Sequence, residues 1–247
     1  MEQKTTLIRI GDFFFKYRNL LFPLMLVVLF LSSPPPAQYF GQEWIEDIVD
    51  IIALGLVLAG LSLRSAVIGF RYIKRGGLNK KVYAENLVTD GFFAVCRNPL
   101  YVANFLICTG ILAKHGATIV FPLGMAFFAL VYISIVAAEE YFLRNNFGEA
   151  YVAYCKDVPR WRMKWSRLKM ATEGMTFNLK RALIKDYSTI TNTLVALIIL
   201  ELWEQITYYH SLGEQVDWVD LGGLLGLIAL TALSIRIAKK RGILKAS

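Results

Sequence analysis

Arg97-Asn98-Pro99-Leu100-Tyr101 places a fixed positive charge beside a helix start. Asparagine is a favoured N-cap, and proline suits the first helical position. The free backbone N–H groups of such a start, with Arg97 beside them, could hold a carboxylate or phosphate. The same residues also read as an ordinary cap with an interfacial arginine. A later apolar run, Val136-Ala137-Ala138, ends on Glu139-Glu140. Two carboxylates at the end of a membrane segment are costly to desolvate and need a use or a partner. Adjacent helical residues point about 100° apart, so one glutamate can face the interior while the other meets water or Arg144.

Leu143, Phe147, Tyr151, Tyr154 and Val158 then recur at helical spacing, and Pro159 ends the pattern. This predicts an amphipathic helix lying against the ends of the membrane segments. Arg160-Trp161-Arg162 follows as a basic, aromatic edge, with Arg160 as a candidate anion ligand. Elsewhere Arg64, Glu201 and Glu204 fall inside apolar segments. Arg64 could neutralise a lipid phosphate or snorkel. Glu201 and Glu204 could bind a substrate head group or an ion, or pair inside the bundle.

These residues require membrane helices to position them. Of 247 residues 56% are hydrophobic, and the excess is gathered in blocks, which predicts one integral membrane domain over residues 1–247. Six blocks approach the roughly 20 residues a bilayer core needs. They run from about Phe13 to Ser33, Ile48 to Phe70, Pro99 to Lys114, Ala117 to Ala138, Thr189 to Tyr209 and Val219 to Ile237. Pro34-Pro35-Pro36 stops the first, Lys16 and Arg18 interrupt it as candidate snorkelling residues, and the third is short. The predicted fold class is an all-α polytopic membrane helix bundle of about six transmembrane helices plus a cytoplasmic amphipathic helix.

Six crossings put every lysine and arginine except Lys114 on one side, and Glu43, Glu46, Asp47, Glu214 and Asp217 near the span ends on the other. The positive-inside rule makes the basic side, with both termini, cytoplasmic, as in a prokaryotic plasma membrane. The net charge of +8 therefore serves topology, and no nucleic-acid-binding signature accompanies it. Cys96, Cys108 and Cys155 form no Cys-x-x-Cys pair, and His115 and His210 are the sole histidines, so neither a disulfide framework nor a metal site is expected. No cleaved signal peptide is read at the N-terminus. Gly222-x-x-x-Gly226 predicts a helix-packing face.

Taken together, the motifs resemble the isoprenylcysteine carboxyl methyltransferase-like family of membrane methyltransferases, with the phospholipid N-methyltransferases as more distant relatives. The family's Arg-His-Pro-x-Tyr reads Arg97-Asn98-Pro99-Leu100-Tyr101 here, and its Glu-Glu reads Glu139-Glu140. Its amphipathic helix reads Leu143, Phe147-Gly148, Tyr151 and Tyr154, and its Val-x-Arg edge Val158-Pro159-Arg160. The approach Leu87-Val88-Thr89-Asp90-Gly91 also matches. The resemblance covers residues 85–165, as a methyltransferase-like core between two-span regions 1–84 and 166–247. It implies S-adenosylmethionine as methyl donor, held by Thr89, Gly91, Arg97, Asn98, Pro99, Tyr101, Glu139, Glu140, Tyr154 and Arg160. Glu139 or Glu140 would take the donor's ammonium or ribose hydroxyls, and Arg160 or the Asn98-Pro99 helix start its carboxylate. A lipid or other hydrophobic acceptor would enter from the bilayer, with Arg64 and Glu201 as candidate substrate ligands. Asn98 replaces the family's histidine and departs from the pattern: it hydrogen-bonds, but it is no base near neutral pH. Two other readings are a sterol-reductase-type enzyme using a nicotinamide cofactor and a non-enzymatic transporter or assembly protein.

Overall fold

The computed structural model describes residues 4–36, 42–71, 81–212 and 218–241. Glu214 and Asp217 of the predicted outer acidic set lie outside them. Six α-helices follow in chain order: α1 Thr6–Ser32, α2 Glu43–Phe70, α3 Pro99–His115, α4 Val120–Asp157, α5 Leu179–Leu212 and α6 Trp218–Lys240. Short 3₁₀ turns at Gly91–Ala94 and Trp165–Ala171 pack against each other. Five helices among the described residues, all but α3, are long and apolar enough to cross a membrane. With 17 residues, α3 sits at the short end of the spanning range of about 17–25. The chain is thus an all-α, polytopic integral membrane bundle. Outward-facing Leu20, Ile51, Leu58, Val219 and Leu227 are exposed, as a hydrocarbon solvent allows.

The packing pairs α2 with α3 and α1 with α4, while α5 joins α2 and α3, and α6 packs mainly on α5. Small residues set these approaches. A Cβ on Gly110 of α3 would lie 2.5 Å from the Ala53 carbonyl oxygen of α2, and one on Gly60 of α2 would lie 2.7 Å from that of Ala103. A Cβ on Gly11 of α1 would strike the Ser134 carbonyl of α4. Because the obstacle is backbone, Gly11→Val is expected to push α1 off α4 and cost about 1–3 kcal/mol, read as a lower unfolding temperature in detergent. Gly222 and Gly226 behave differently: a Cβ on either meets nothing within 4 Å, so among the described residues nothing packs closely on the predicted face.

Several boundaries differ from the sequence expectation: α1 begins seven residues and α2 five residues before the predicted spans. The fourth span and the amphipathic helix are one element, α4, broken only at Gly148. Its φ of 49° and ψ of −125° form a conformation that glycine alone adopts readily, so the helix can bend there and continue to Asp157. The fifth helix starts ten residues earlier than expected, at Leu179, where Asn178 Oδ1 accepts from Arg181 N at 2.8 Å. The Arg181 guanidinium in turn donates to the Ile68, Gly69 and Phe70 carbonyls, satisfying the C-terminus of α2.

A buried ion pair ties α2 to α5. Arg64 Nε donates to Asp186 Oδ2 at 2.8 Å, and its other nitrogens bond Asp186 Oδ1, Asn104 of α3 and Thr189. Arg64 is 5% exposed and Asp186 1%. Sequence reasoning offered Arg64 to a lipid phosphate; the fold places it inside the bundle with its guanidinium engaged.

Candidate functional site

The helix start at Asn98-Pro99 forms as predicted, but the asparagine works differently. Its backbone carbonyl accepts from Tyr101 N and Val102 N at 3.1 Å, while its side chain makes no cap. Asn98 Nδ2 instead donates to the Arg160 carbonyl at 3.1 Å. Arg97 N donates to the Pro159 carbonyl at 2.9 Å, and Lys164 N to that of Val95 at 3.0 Å. These three bonds lay the 159–164 edge along the 95–98 approach to α3 and thereby fix Arg160 next to α4. Tyr154, in the last turns of α4, donates its hydroxyl to the Phe93 carbonyl at 2.7 Å and pins the 3₁₀ turn to the same place. That hydroxyl is engaged, so Tyr154 offers a ring face.

Glu140 is the centre of this corner. Arg160 Nε donates to its Oε1 at 3.0 Å, a second Arg160 nitrogen pairs with Oε2, and Arg97 approaches Oε1 at 3.5 Å. Glu140 is therefore shared by two guanidinium groups, which leaves one positive charge uncancelled among the three. Arg97 also donates to Cys155 Sγ. Burial opposes the charge on Arg97, yet Glu140 and then Cys155 and Tyr151 raise its pKa above the ordinary value, so it stays cationic. The neighbouring Cys96 is fully buried, and burial raises its thiol pKa despite a backbone bond near Asn98 and the charge of Arg97. Cys96 Sγ donates to the Arg160 carbonyl at 3.5 Å, one more tie between the two segments.

Glu139 points elsewhere. Tyr101 Oη donates to its Oε1 at 2.7 Å, and the Tyr101 ring lies 5.6 Å from that of Tyr132. The two glutamates thus separate as the helical geometry requires, one into the bundle and one toward Arg160, which replaces the expected Arg144 as partner.

Of the residues proposed from sequence, the fold gathers Arg97, Asn98, Pro99, Tyr101, Glu139, Glu140, Tyr154 and Arg160 at one end of α3 and α4. Thr89 is exposed, and Gly91 lies against Arg71 and Met175 near the end of α2. Glu201 is at the opposite end of α3. There Lys114 pairs with it at 3.1 Å and also with Asp50 and Glu204. Lys114 is 13 residues beyond Tyr101, about 20 Å along the helix. The Asp50, Glu201 and Glu204 oxygens lie within 4.8 Å of one another, a carboxylate cluster that the sequence did not predict and whose cation is the Lys114 ammonium. Asp50, Lys114 and Asp186 are buried or half-buried charged residues to which sequence reasoning gave no site role.

Residues 50–150 match the model of the phospholipid methyltransferase family. A protein-S-isoprenylcysteine O-methyltransferase of Schizosaccharomyces pombe is 32% identical over 128 residues, 49% of this chain and 52% of its own. The cobalt-zinc-cadmium resistance protein CzcN of Cupriavidus metallidurans is 36% identical over 49% of this chain and 54% of its own. The nickel-cobalt-cadmium resistance protein NccN of Alcaligenes xylosoxydans xylosoxydans is 41% identical over 77 residues, 31% of this chain and 35% of its own. The chain thus spans about half, or less, of the length of these relatives. No solved structure matches it significantly. The family match begins within α2, before the first motif, and ends within α4, before Arg160. Through this segment, which holds both the Arg97–Tyr101 helix start and Glu139-Glu140, the chain is similar to phospholipid methyltransferases and to an isoprenylcysteine methyltransferase.

Proposed function

We propose that the protein is a membrane methyltransferase that uses S-adenosylmethionine and methylates a lipid or other hydrophobic acceptor at the cytoplasmic face. The observation that carries this reading is Glu140 held between Arg97 and Arg160, beside the start of α3 and one residue from Glu139. The donor is zwitterionic at its amino-acid end, with an added sulfonium charge. The surplus positive charge around Glu140 suits its carboxylate, and Glu139 or Glu140 suits its ammonium or ribose hydroxyls. When bound, the donor would supply a methyl group on a positively charged sulfur.

The chain's own contribution is positional. Asn98 holds the Arg160 edge in place and moves no proton. Arg97 stays cationic and orients Glu140. Tyr101 fixes Glu139, and Tyr154 fastens the 3₁₀ turn that closes the corner. Methyl transfer neutralises a sulfonium, so alignment and water exclusion matter more than acid–base power. The apolar flanks of α3 and α4 would admit an acceptor sideways from the bilayer. The family match supports this reading over the reductase and transporter readings.

The test incubates purified protein with methyl-labelled S-adenosylmethionine and membrane extract, and mass spectrometry locates the label. Saturable donor binding with label in a hydrophobic component is expected. Absence of both binding and transfer would remove the proposal.

A further inference from the structure

Both ends of residues 164–178 are tied to the ends of membrane helices. Lys164 N donates to the Val95 carbonyl at 3.0 Å, just before α3 starts at Pro99. Asn178 N donates to the Gly69 carbonyl at 3.0 Å, in the last turn of α2. Between these ties, Ala171 of the 3₁₀ turn is buried against Val67, Phe92 and Val95. The Phe177 ring packs on that of Phe70, with centres 5.3 Å apart. At 28 residues α2 is about 42 Å long, enough to cross the hydrocarbon and reach the head-group zone on both sides. The segment pinned to its end therefore lies at head-group level. Residues three apart eclipse in a 3₁₀ helix, so Trp165 and Leu168 align. Trp165 is 70% exposed and Leu168 43%. Trp161 turns the other way, onto the main core. Residues 158–172 hold five basic side chains, Arg160, Arg162, Lys164, Arg167 and Lys169, and no acid. Arg160 pairs with Glu140. Lys164 Nζ donates to the Asp157 backbone carbonyl at 3.4 Å. Among the described residues no carboxylate pairs with Arg162, Lys164, Arg167 or Lys169.

We infer that the edge formed by residues 162–170 is a docking surface for the anionic head groups of the bilayer, with Trp165 and Leu168 seated among them. The surface is separate from the donor site and does not depend on methyl transfer. A largely exposed indole is poorly placed in water, but it suits the head-group zone, where one end of the ring is dry and the other wet. The four cations around it have no carboxylate, and lipid phosphates at the same depth supply the missing charge. A zwitterionic head group cancels its own phosphate, so the surface favours lipids with a net negative charge. Each basic side chain close to such a leaflet strengthens binding by about fivefold at most, and screening reduces this for exposed groups. An acidic protein or a nucleic acid would match the charge, but it would leave Trp165 and Leu168 without an apolar neighbour.

The test places the full chain in nanodiscs of phosphatidylcholine mixed with phosphatidylglycerol and counts the lipids it retains by native mass spectrometry. The variant carries Arg162→Gln, Lys164→Gln, Arg167→Gln and Lys169→Gln together, with Arg160 intact. Wild type is expected to retain phosphatidylglycerol preferentially, and the variant to lose about tenfold of that preference. High salt should erode the preference of wild type in the same direction. If the fourfold variant does not fold, Arg162→Gln with Lys169→Gln takes its place, with an expected loss of about threefold. Brominated acyl chains should quench the emission of Trp165, read as the difference between wild type and Trp165→Phe. An unchanged lipid preference in a folded variant would overturn the proposal. Trp165 emission that brominated lipid leaves unquenched would overturn it too, because the edge would then face water and an acidic macromolecule would be the better occupant.

Discussion

Glu140→Gln is expected to weaken S-adenosylmethionine binding roughly 30-fold or more, since truncating a charge partner in a largely buried pair costs about 2 kcal/mol or more. The Glu140 side chain is 12% exposed and Arg97 14%, so solvent screens this pair weakly. Glutamine keeps the shape but loses the charge, and its amide turns donors toward one of the two guanidinium groups. Arg97 and Arg160 would then repel each other across a neutral residue, and Arg160 would swing toward solvent. Arg160→Ala should do less to the corner, because Arg160 is 43% exposed and Glu140 keeps Arg97. Calorimetric titration of the two variants checks the order. Donor binding unchanged in Glu140→Gln would take Glu140 out of the site, and a greater loss in Arg160→Ala would show that the donor's carboxylate depends on Arg160 directly.

What the sequence made legible was local. Pro99 at a helix start, Pro159 after a helix end and the apolar blocks each act within a turn or two, so the starts and stops of α3 and the end of α4 came out at their places. The motif end was legible for the same reason, because Arg97 to Tyr101 mark a helix start and Glu139-Glu140 the end of an apolar run. What stayed hidden depends on partners far apart in the chain. Arg64 reads alone as a lipid-facing charge until Asp186, 122 residues on, is seen beside it. Lys114 reads as a stray until α2 and α5 bring Asp50, Glu201 and Glu204 around it. Gly148 was legible as part of a motif but not as a break, since periodicity resumes after it with only the direction changed. Asn98 was placed correctly and misassigned chemically: a cap is a local inference, while its bond to the Arg160 carbonyl spans 62 residues.

Asp186→Asn should lower the stability of the bundle by about 3–5 kcal/mol, because it strands a buried guanidinium whose charge then has no counter-ion. That is a large share of the roughly 5–15 kcal/mol that holds a typical domain folded. Arg64 also donates to Asn104 Oδ1 and Thr189 Oγ1, so its donors remain partly satisfied after the change; the loss is electrostatic. The Arg64→Met, Asp186→Leu double variant separates the two contributions. It removes both charges and fills similar volume with apolar atoms, and a buried pair replaced in this way is often neutral or better. The double variant is therefore expected to unfold closer to wild type than Asp186→Asn does, as measured by thermal unfolding in detergent. If Asp186→Asn melts with wild type, the ion pair does not hold α2 to α5. If the double variant melts below the single one, the hydrogen bonds to Asn104 and Thr189, rather than the charges, join α2, α3 and α5 behind the Tyr101 corner.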